Sequence, residues 1–437
     1  MDKADQTPAP SWGRYFKWHQ PRQKLQWRHQ ISFPDLKVLP YGLGRSYGDS
    51  CLLQHGTLLD CSNLNRLIHF DKENGILTAE AGLSLRDILE FAVPKGWFLP
   101  VTPGSQFVTL GGAIANDVHG KNHHRAGNFG HHILEFTLLR SNGETLHCSR
   151  TENSEWFAAT VGGLGLTGLI VSVTIKLKSI HSPWMDVTSI KYSNFDEFCA
   201  LSDSYSKSHE YTVAWVDACA TGHNLGRGIF LAAHHSEVGV HDDVKINKQP
   251  GFNLPFTFPN FALNAFTVRA FNTLYYARQQ QRIVNQPQHY RNYFYPLDGI
   301  GQWNKMYGSR GFLQYQCVIP KENKEAMRSL IESVAHSKTG SFLTVLKEFG
   351  NIKSLGMMSF PRPGYTFALD FANQGQSTLR LLSRFDAIVS EAQGAVYPAK
   401  DARMSAQHFR QYFPKWQAWQ KFIDPAFSSS FWQRMLE

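Results

Sequence analysis

The stretch VTPGSQFVTLGGAIANDVHGKNHHRAGNFG, residues 101–130, constrains this chain more than any other. It sets Gly104, Gly111, Gly112, Gly120, Gly127 and Gly130 among small and polar residues. A loop-rich stretch of that length inside a compact domain is usually functional. Such glycine density suits a backbone wrapped around a large flat ligand that carries a pyrophosphate. A second loop, PYGLGRSYGDS (40–50), places Gly42, Gly44 and Gly48 where amide groups can turn inward and approach a phosphate. Arg45 adds a planar, permanently charged donor. Taken alone, this loop is equally well a tight turn. It is not a Rossmann fingerprint, because it lacks the G-x-G-x-x-G spacing and short strands follow it. VGGLGLTG (161–168) is a third close-approach segment.

The length of 437 residues exceeds what one hydrophobic core usually supports, so two domains are expected, one of which can be discontinuous. Residues 36–82 read as short strands between turns: LKVLPYG, GTLLDCS, RLIHFD and GILTAEAG. LSLRDILEFAV (83–93) reads as a helix capped by Ser84. ILEFTLLRSNGETLHCS predicts a hairpin turning at Asn142-Gly143. A short helix is expected near Ser154–Thr160, and LIVSVTIKLKSI as a strand. From about residue 182, strands such as YTVAWVDA and FLQYQCVIP alternate with helices such as NKEAMRSLIESVAHS. The expected division is a first domain over 1–181, a second, α+β domain over 182–395, and a helical segment over 396–437 that packs back on the first.

Composition narrows the partners. A formal charge of +9, from 44 Lys and Arg against 35 Asp and Glu, favours a phosphate-bearing cofactor, a phosphorylated substrate or an acidic membrane face. Nucleic acid is disfavoured, since there is no dense basic run and no nucleic-acid-binding signature. The 31 Phe, 16 Tyr and 11 Trp suggest a site with aromatic walls. Cys51, Cys61, Cys148, Cys199, Cys219 and Cys317 lack CxxC or CxH spacing, so isolated thiols are expected. His119, His123, His124, His131 and His132 fit no ligand spacing with a third donor, so no metal is expected. Gly96–Asn116 and Gln249–Val268 are long and nearly uncharged, but their prolines and glycines exclude spanning helices. The second carries Phe252, Phe256, Phe258, Phe261 and Phe266, an aromatic surface suited to resting on lipid. The opening MDKADQTPAPSWGRYF lacks the apolar run of a secretory signal, so a cytoplasmic location, or a peripheral one on the inner membrane, is expected.

GLGRSYGD, TPGSQFVTLGGAIANDVHGKNHH and TVGGLGLTG together resemble the FAD-binding domain of vanillyl-alcohol-oxidase-type flavoproteins. The resemblance continues through FYPLDGIGQWNKMYG, GFLQYQCVIP, FLTVLKEFG, SFPRPGYTFALDF and YPAKDAR, covering nearly the whole chain in order. These later motifs are similar to the decaprenylphosphoryl-β-D-ribose 2′-oxidase subgroup, flavin subunits of the 2′-epimerases that make an arabinose donor for the cell envelope. The resemblance implies an α+β fold of two domains, one binding FAD and one holding substrate on an antiparallel sheet. It implies that Pro40, Tyr41, Gly42, Leu43, Gly44, Arg45, Ser46, Tyr47, Gly48, Asp49 and Ser50 bind the FAD phosphates. Gly104, Thr109, Leu110, Gly111, Gly112, Asn116, Asp117, Val118 and His119 would follow the pyrophosphate, ribityl and isoalloxazine, with Leu169, Ile170 and Tyr397 completing the site. In many relatives a His in the first loop bonds covalently to the flavin. Here Arg45 stands there, so non-covalent FAD is expected.

For the substrate the resemblance implies Tyr47, Gln314, Gln316, Lys347 and Lys400, with Thr366 and Ala368 where close family members carry Asn and Cys. Without that cysteine, thiol-directed covalent inhibitors are expected to fail while hydride chemistry survives. Lys400 is the principal catalytic candidate: its ammonium can stabilise charge at the flavin N1–C2 edge, or orient the reacting hydroxyl. Without the resemblance, a lysine in a KDAR turn reads as a solvated surface residue. His119 is a candidate acid, base or orienting group, and Tyr47 completes the catalytic set. The implied activity oxidises the C2′ hydroxyl of a polyprenyl-phosphoryl-ribose to a ketone. An NAD(P)H-dependent short-chain reductase partner would reduce that ketone, and a quinone or dioxygen would reoxidise the flavin. The rival readings are a soluble alditol or aldonolactone oxidase on the same fold, and a non-catalytic flavin-binding subunit.

Overall fold

A computed structural model describes residues 10–238, 251–337, 339 and 341–437. Residues 1–9, and Gln249 and Pro250 of the aromatic segment, lie outside the described residues. The strands expected between 36 and 82 form, as Val38–Tyr41, Thr57–Asp60, Leu67–Asp71 and Ile76–Glu80. Thr57–Asp60 is central in a small parallel sheet, between Arg22–Lys24 and Val38–Tyr41, and is buried along its length. Val38–Tyr41 delivers the chain directly into the first glycine loop.

Leu67–Asp71, Ile76–Glu80, Leu169–Lys176, Ile133–Leu139 and Thr145–Ser149 lie in that order in a five-stranded antiparallel sheet. The hairpin between its last two strands turns at Asn142-Gly143, where Gly143 takes φ +87°, a conformation open to a residue without Cβ. Against this sheet packs the helix Leu85–Ala92. Ser84 caps it by accepting from the Asp87 amide, and Leu85, Ile88, Leu89 and Ala92 form its buried stripe. The turn that leads into it holds the second glycine loop in place: Leu110 N donates to Leu83 O at 2.9 Å and Gly111 N to Ala81 O at 2.7 Å.

The largest sheet has eight strands, paired antiparallel throughout: Ile283–His289, Trp184–Tyr192, Gly228–His235, Tyr211–Val216, Thr344–Phe349, Gly364–Ala372, Phe312–Ile319 and Ala395–Val396. Helices Phe195–Ser208, Lys324–His336 and Gln376–Glu391 pack on one of its faces. The period of two then sorts side chains. Tyr315, Cys317 and Ile319 join that core, while Gln314 and Gln316 point to the other face. Opposite them stand Asp370 and Ala368, and Lys347 lies beside Thr366.

The C-terminal segment forms helices Ala406–Tyr412, Trp416–Gln420 and Ser430–Leu436. Asp424 accepts from Arg140 Nε at 2.8 Å, Phe427 bridges to Val38, and Arg434 reaches Asp49. Among the described residues, no helix is long and apolar enough to cross a membrane, and no cluster of His, Cys, Asp or Glu could hold a metal ion. All six cysteines are free thiols.

Candidate active site

The glycine segments meet along one cavity of about 1400 Å³, larger than most single small-molecule sites. Pro40, Tyr41, Gly42, Leu43, Gly44, Arg45, Ser46, Tyr47 and Ser50 line it from the first loop. Gly104, Thr109, Gly111, Gly112, Asn116, Val118 and His119 line it from the second, joined by Leu169, Ile170 and Tyr397. The two loops touch: a Cβ on Gly42 would fall 2.5 Å from Thr109 Oγ1, so no side chain fits there. Thr109 itself caps the short helix Leu110–Ala115 by accepting from Gly112 N at 3.2 Å.

The cradle presents polar atoms that the protein leaves unsatisfied. The guanidinium of Arg45 lies between Trp12 and Phe107, 4.0 and 5.3 Å from their ring centroids, with its Nε unpartnered. Ser50 Oγ is buried and unpartnered as well. A bound dinucleotide offers phosphate oxygens to such donors, and the crowding at Gly42 keeps side chains out of the way. The residues present therefore fit FAD.

Four expected cofactor residues do not line the cavity. Leu110 is in the hydrophobic core. Asp117, in the left-handed region at φ +40°, accepts from Asn128 Nδ2, Gly130 N and Ser359 Oγ and so braces the loop. Asp49 is bound by Arg434. Gly48 backs onto the KDAR turn, where a Cβ would overlap Asp401 O. These residues shape the cradle from behind.

All seven residues expected at the substrate, Tyr47, Gln314, Gln316, Lys347, Thr366, Ala368 and Lys400, line the cavity. Gln316 Nε2 donates to His119 Nε2 at 2.9 Å, which puts the ring proton on Nδ1, facing Lys347 Nζ at 2.8 Å. Lys347 in turn donates to Gly120 O at 2.7 Å. That chain needs an uncharged Lys347 amine, and burial together with Lys121 and Lys400 pushes its pKa well below the usual lysine range. Burial likewise pushes the His119 pKa well below the usual histidine range and holds the ring neutral. Exchanging the amide atoms of Gln316 reverses the two bonds to His119 and leaves the Lys347 bond to Gly120 O as it is; Lys347 then donates to His119 Nδ1 and can carry its proton.

Lys400 Nζ sits 3.8 Å over the Tyr47 ring, and Tyr47 N donates to Ala399 O at 2.9 Å. The KDAR turn is thus folded onto the first glycine loop and presents its lysine to the cavity. Burial lowers the Lys400 pKa to about 8, against the opposing pull of Asp370. Sequence reasoning missed Asp370. It accepts from Gln314 Nε2 at 2.5 Å and Tyr307 OH at 3.5 Å, and burial raises its pKa. Strand alternation from Thr366 and Ala368 was the available signal for it. Nothing local announced Trp12, which stacks under Arg45, or Lys121, which lines the cavity with a pKa that burial lowers to about 7.

Residues 30–149 match the family model of an FAD binding domain. Over 399 residues the chain is 36% identical to decaprenylphosphoryl-β-D-ribose oxidase of Mycolicibacterium smegmatis, covering 89% of this chain and 86% of that one. The chain belongs to this oxidase family. It is also 30% identical over 346 residues to an uncharacterized Streptomyces coelicolor protein in the mprA 5′ region, covering 76% of this chain and 92% of that one. L-gulonolactone oxidase of Scyliorhinus torazame is 36% identical over 142 residues, 32% of this chain and 31% of that enzyme. The protein is an FAD-dependent oxidoreductase of two-domain α+β type.

Proposed function

We propose that this enzyme oxidises the C2′ hydroxyl of a polyprenyl-phosphoryl-β-D-ribose to a ketone. The observation that carries this reading is the polar cluster of Lys347, Gln314 and Gln316 on one sheet face, met there by Lys400 and His119 from the loops, next to the glycine cradle. When bound, FAD supplies the acceptor for the hydride that leaves the carbinol carbon. Lys400, as an ammonium over Tyr47, places positive charge where negative charge develops, or fixes the hydroxyl oxygen. Gln314 and Gln316 offer amide groups to a sugar hydroxyl while Asp370 and His119 hold them in place. Thr366 and Ala368 shape the same face, and no thiol stands there for a covalent inhibitor. Arg45 has no imidazole to alkylate, so FAD is held non-covalently.

In this reading residues 1–181 and 396–437 serve the cofactor and 182–395 the substrate. A nicotinamide-dependent short-chain reductase returns the ketone to the arabino epimer, and a quinone or dioxygen reoxidises the flavin. The exposed Phe252, Phe256, Phe261 and Phe266 rest on the membrane that carries the substrate. Mass spectrometry of decaprenylphosphoryl-β-D-ribose after turnover should show loss of two hydrogen atoms, placed at C2′ by NMR. Oxidation at another carbon sinks the assignment. Liposomes that fail to bind the protein, with or without acidic lipid, sink the membrane contact.

A further inference from the structure

The cavity extends well beyond the cradle and the polar cluster. It continues between the helix Ala265–Arg278 and the face of four adjacent strands of the large sheet: Ile283–His289, Trp184–Tyr192, Gly228–His235 and Tyr211–Val216. Ile229, Leu231 and Val284 line it from the strands. Val268, Phe271 and Tyr275 line it from the helix. Lining residues run from Thr267 to Arg278, about 17 Å of helix. The four strands span about 14 Å across the sheet. Among its polar residues, Ser189 and Gln279 satisfy one another at 2.7 Å, the Arg278 guanidinium lies 4.6 Å from the Tyr275 ring centroid, and Gln286 and Gln288 stand on the edge strand.

A helix that covers an ordinary core buries a continuous stripe. This one buries only Val268 and Asn272, and leaves Phe266, Phe271 and Leu274 exposed at 80%, 45% and 72%. It stands off the sheet, held by Asn272 Nδ2 to Ser341 O at 3.2 Å, Tyr276 OH to Tyr192 O at 3.1 Å and the Tyr275–Trp215 ring contact. The space beneath is a long, largely apolar slot, open at one end to Lys400 and His119.

We propose that this slot is the binding site for the isoprenoid chain of the lipid-linked sugar. A substrate with a polar head and a long apolar tail matches one cavity with a polar end and an apolar arm, and a free sugar leaves the arm unfilled. The inference rests on the lipid-linked-sugar reading above. The enzyme itself, and not only the membrane, then binds the tail.

The test compares kcat/KM for decaprenylphosphoryl-β-D-ribose and its geranyl analogue at the same detergent concentration. The wild-type enzyme should prefer the longer chain by about tenfold or more, from the extra apolar surface buried. Phe271→Glu and Val284→Glu, both at partly exposed positions that tolerate a charge, should bring that ratio close to one. Leu274→Glu, on the outer side of the helix and outside the slot, should preserve it. Flavin absorbance per mole of protein reports that each variant is folded. Equal kcat/KM for both chains in the wild type, or an unchanged ratio in Phe271→Glu and Val284→Glu, overturns the tail site and leaves the oxidase reading standing. Turnover of neither lipid overturns that reading, and the tail site with it.

Discussion

Replacing Arg434 with Met should loosen the cofactor cradle without touching the cavity lining. Arg434 Nη2 and Nε grip Asp49 at 2.8 and 3.1 Å, and Nη2 also meets Asp401 Oδ2 at 3.1 Å. The two carboxylates are only 3% and 4% exposed. Asp49 belongs to the first glycine loop and Asp401 directly follows Lys400, so one guanidinium from the last helix holds both segments that frame the site. Removing it strips Asp49 of its ion-pair partner and Asp401 of its direct one, leaving Asp401 only the more distant charge of Arg403. Breaking a buried pair from one side costs about 3–5 kcal/mol. At about 2–4 °C per kcal/mol for a large domain, the Tm should fall by roughly 6–20 °C. Burial already holds Asp49 above the ordinary carboxylate range, with Arg434 as the main opposing influence, so its pKa climbs further in the variant. A folded-state pKa above the unfolded one favours folding only while the group stays protonated. The deficit should therefore be largest at neutral pH and shrink as pH falls through the raised value. Asp49→Asn on top of Arg434→Met should recover part of the loss, since one of the two stranded charges is gone. Thermal melts of the FAD-loaded proteins across about pH 5 to 8, with flavin fluorescence reporting release, decide the matter. A Tm at neutral pH within about 2 °C of the wild type, with flavin retention unchanged, refutes the reasoning.

Other perturbations address the chemistry directly. Lys400→Met should lower kcat by about 10²–10³ while retaining FAD. In the wild type the rate should fall as pH rises through about 8, where the Lys400 ammonium is lost; Lys400→Arg, charged throughout, should lose that limb, and an identical limb in both assigns it to another group. Asp370 raises the Lys400 pKa, so Asp370→Asn should move the alkaline limb to lower pH, and an unmoved limb contradicts the coupling. Acid precipitation should leave the flavin in the supernatant, whereas a yellow pellet means a covalent bond that Arg45 does not explain.

Local signals carried much of the architecture. Ser84 marks a helix start because its hydroxyl meets the Asp87 amide three residues on, and Asn142-Gly143 marks a turn because Gly143 alone of its neighbours takes φ +87° without strain. The cradle was legible for a similar reason: a glycine run records where backbone must pass close to something. Asp370 was not, because its role depends on facing Gln314 across a strand pair 56 residues apart in sequence. Gly48, Asp49, Leu110 and Asp117 fall within the motifs yet point away from the cavity, since a loop needs residues behind it as well as in front. The helix Ala265–Arg278 begins inside the segment read as proline-broken, after Pro259, and its apolar slot arises only when four distant strands come beneath it.

The most direct measurement is the visible spectrum of the oxidised enzyme on anaerobic addition of each candidate substrate. Decaprenylphosphoryl-β-D-ribose should bleach the flavin band, and free alditols and aldonolactones should leave it intact. A band that the lipid-linked ribose leaves unchanged, or that soluble sugars alone bleach, contradicts the proposed activity.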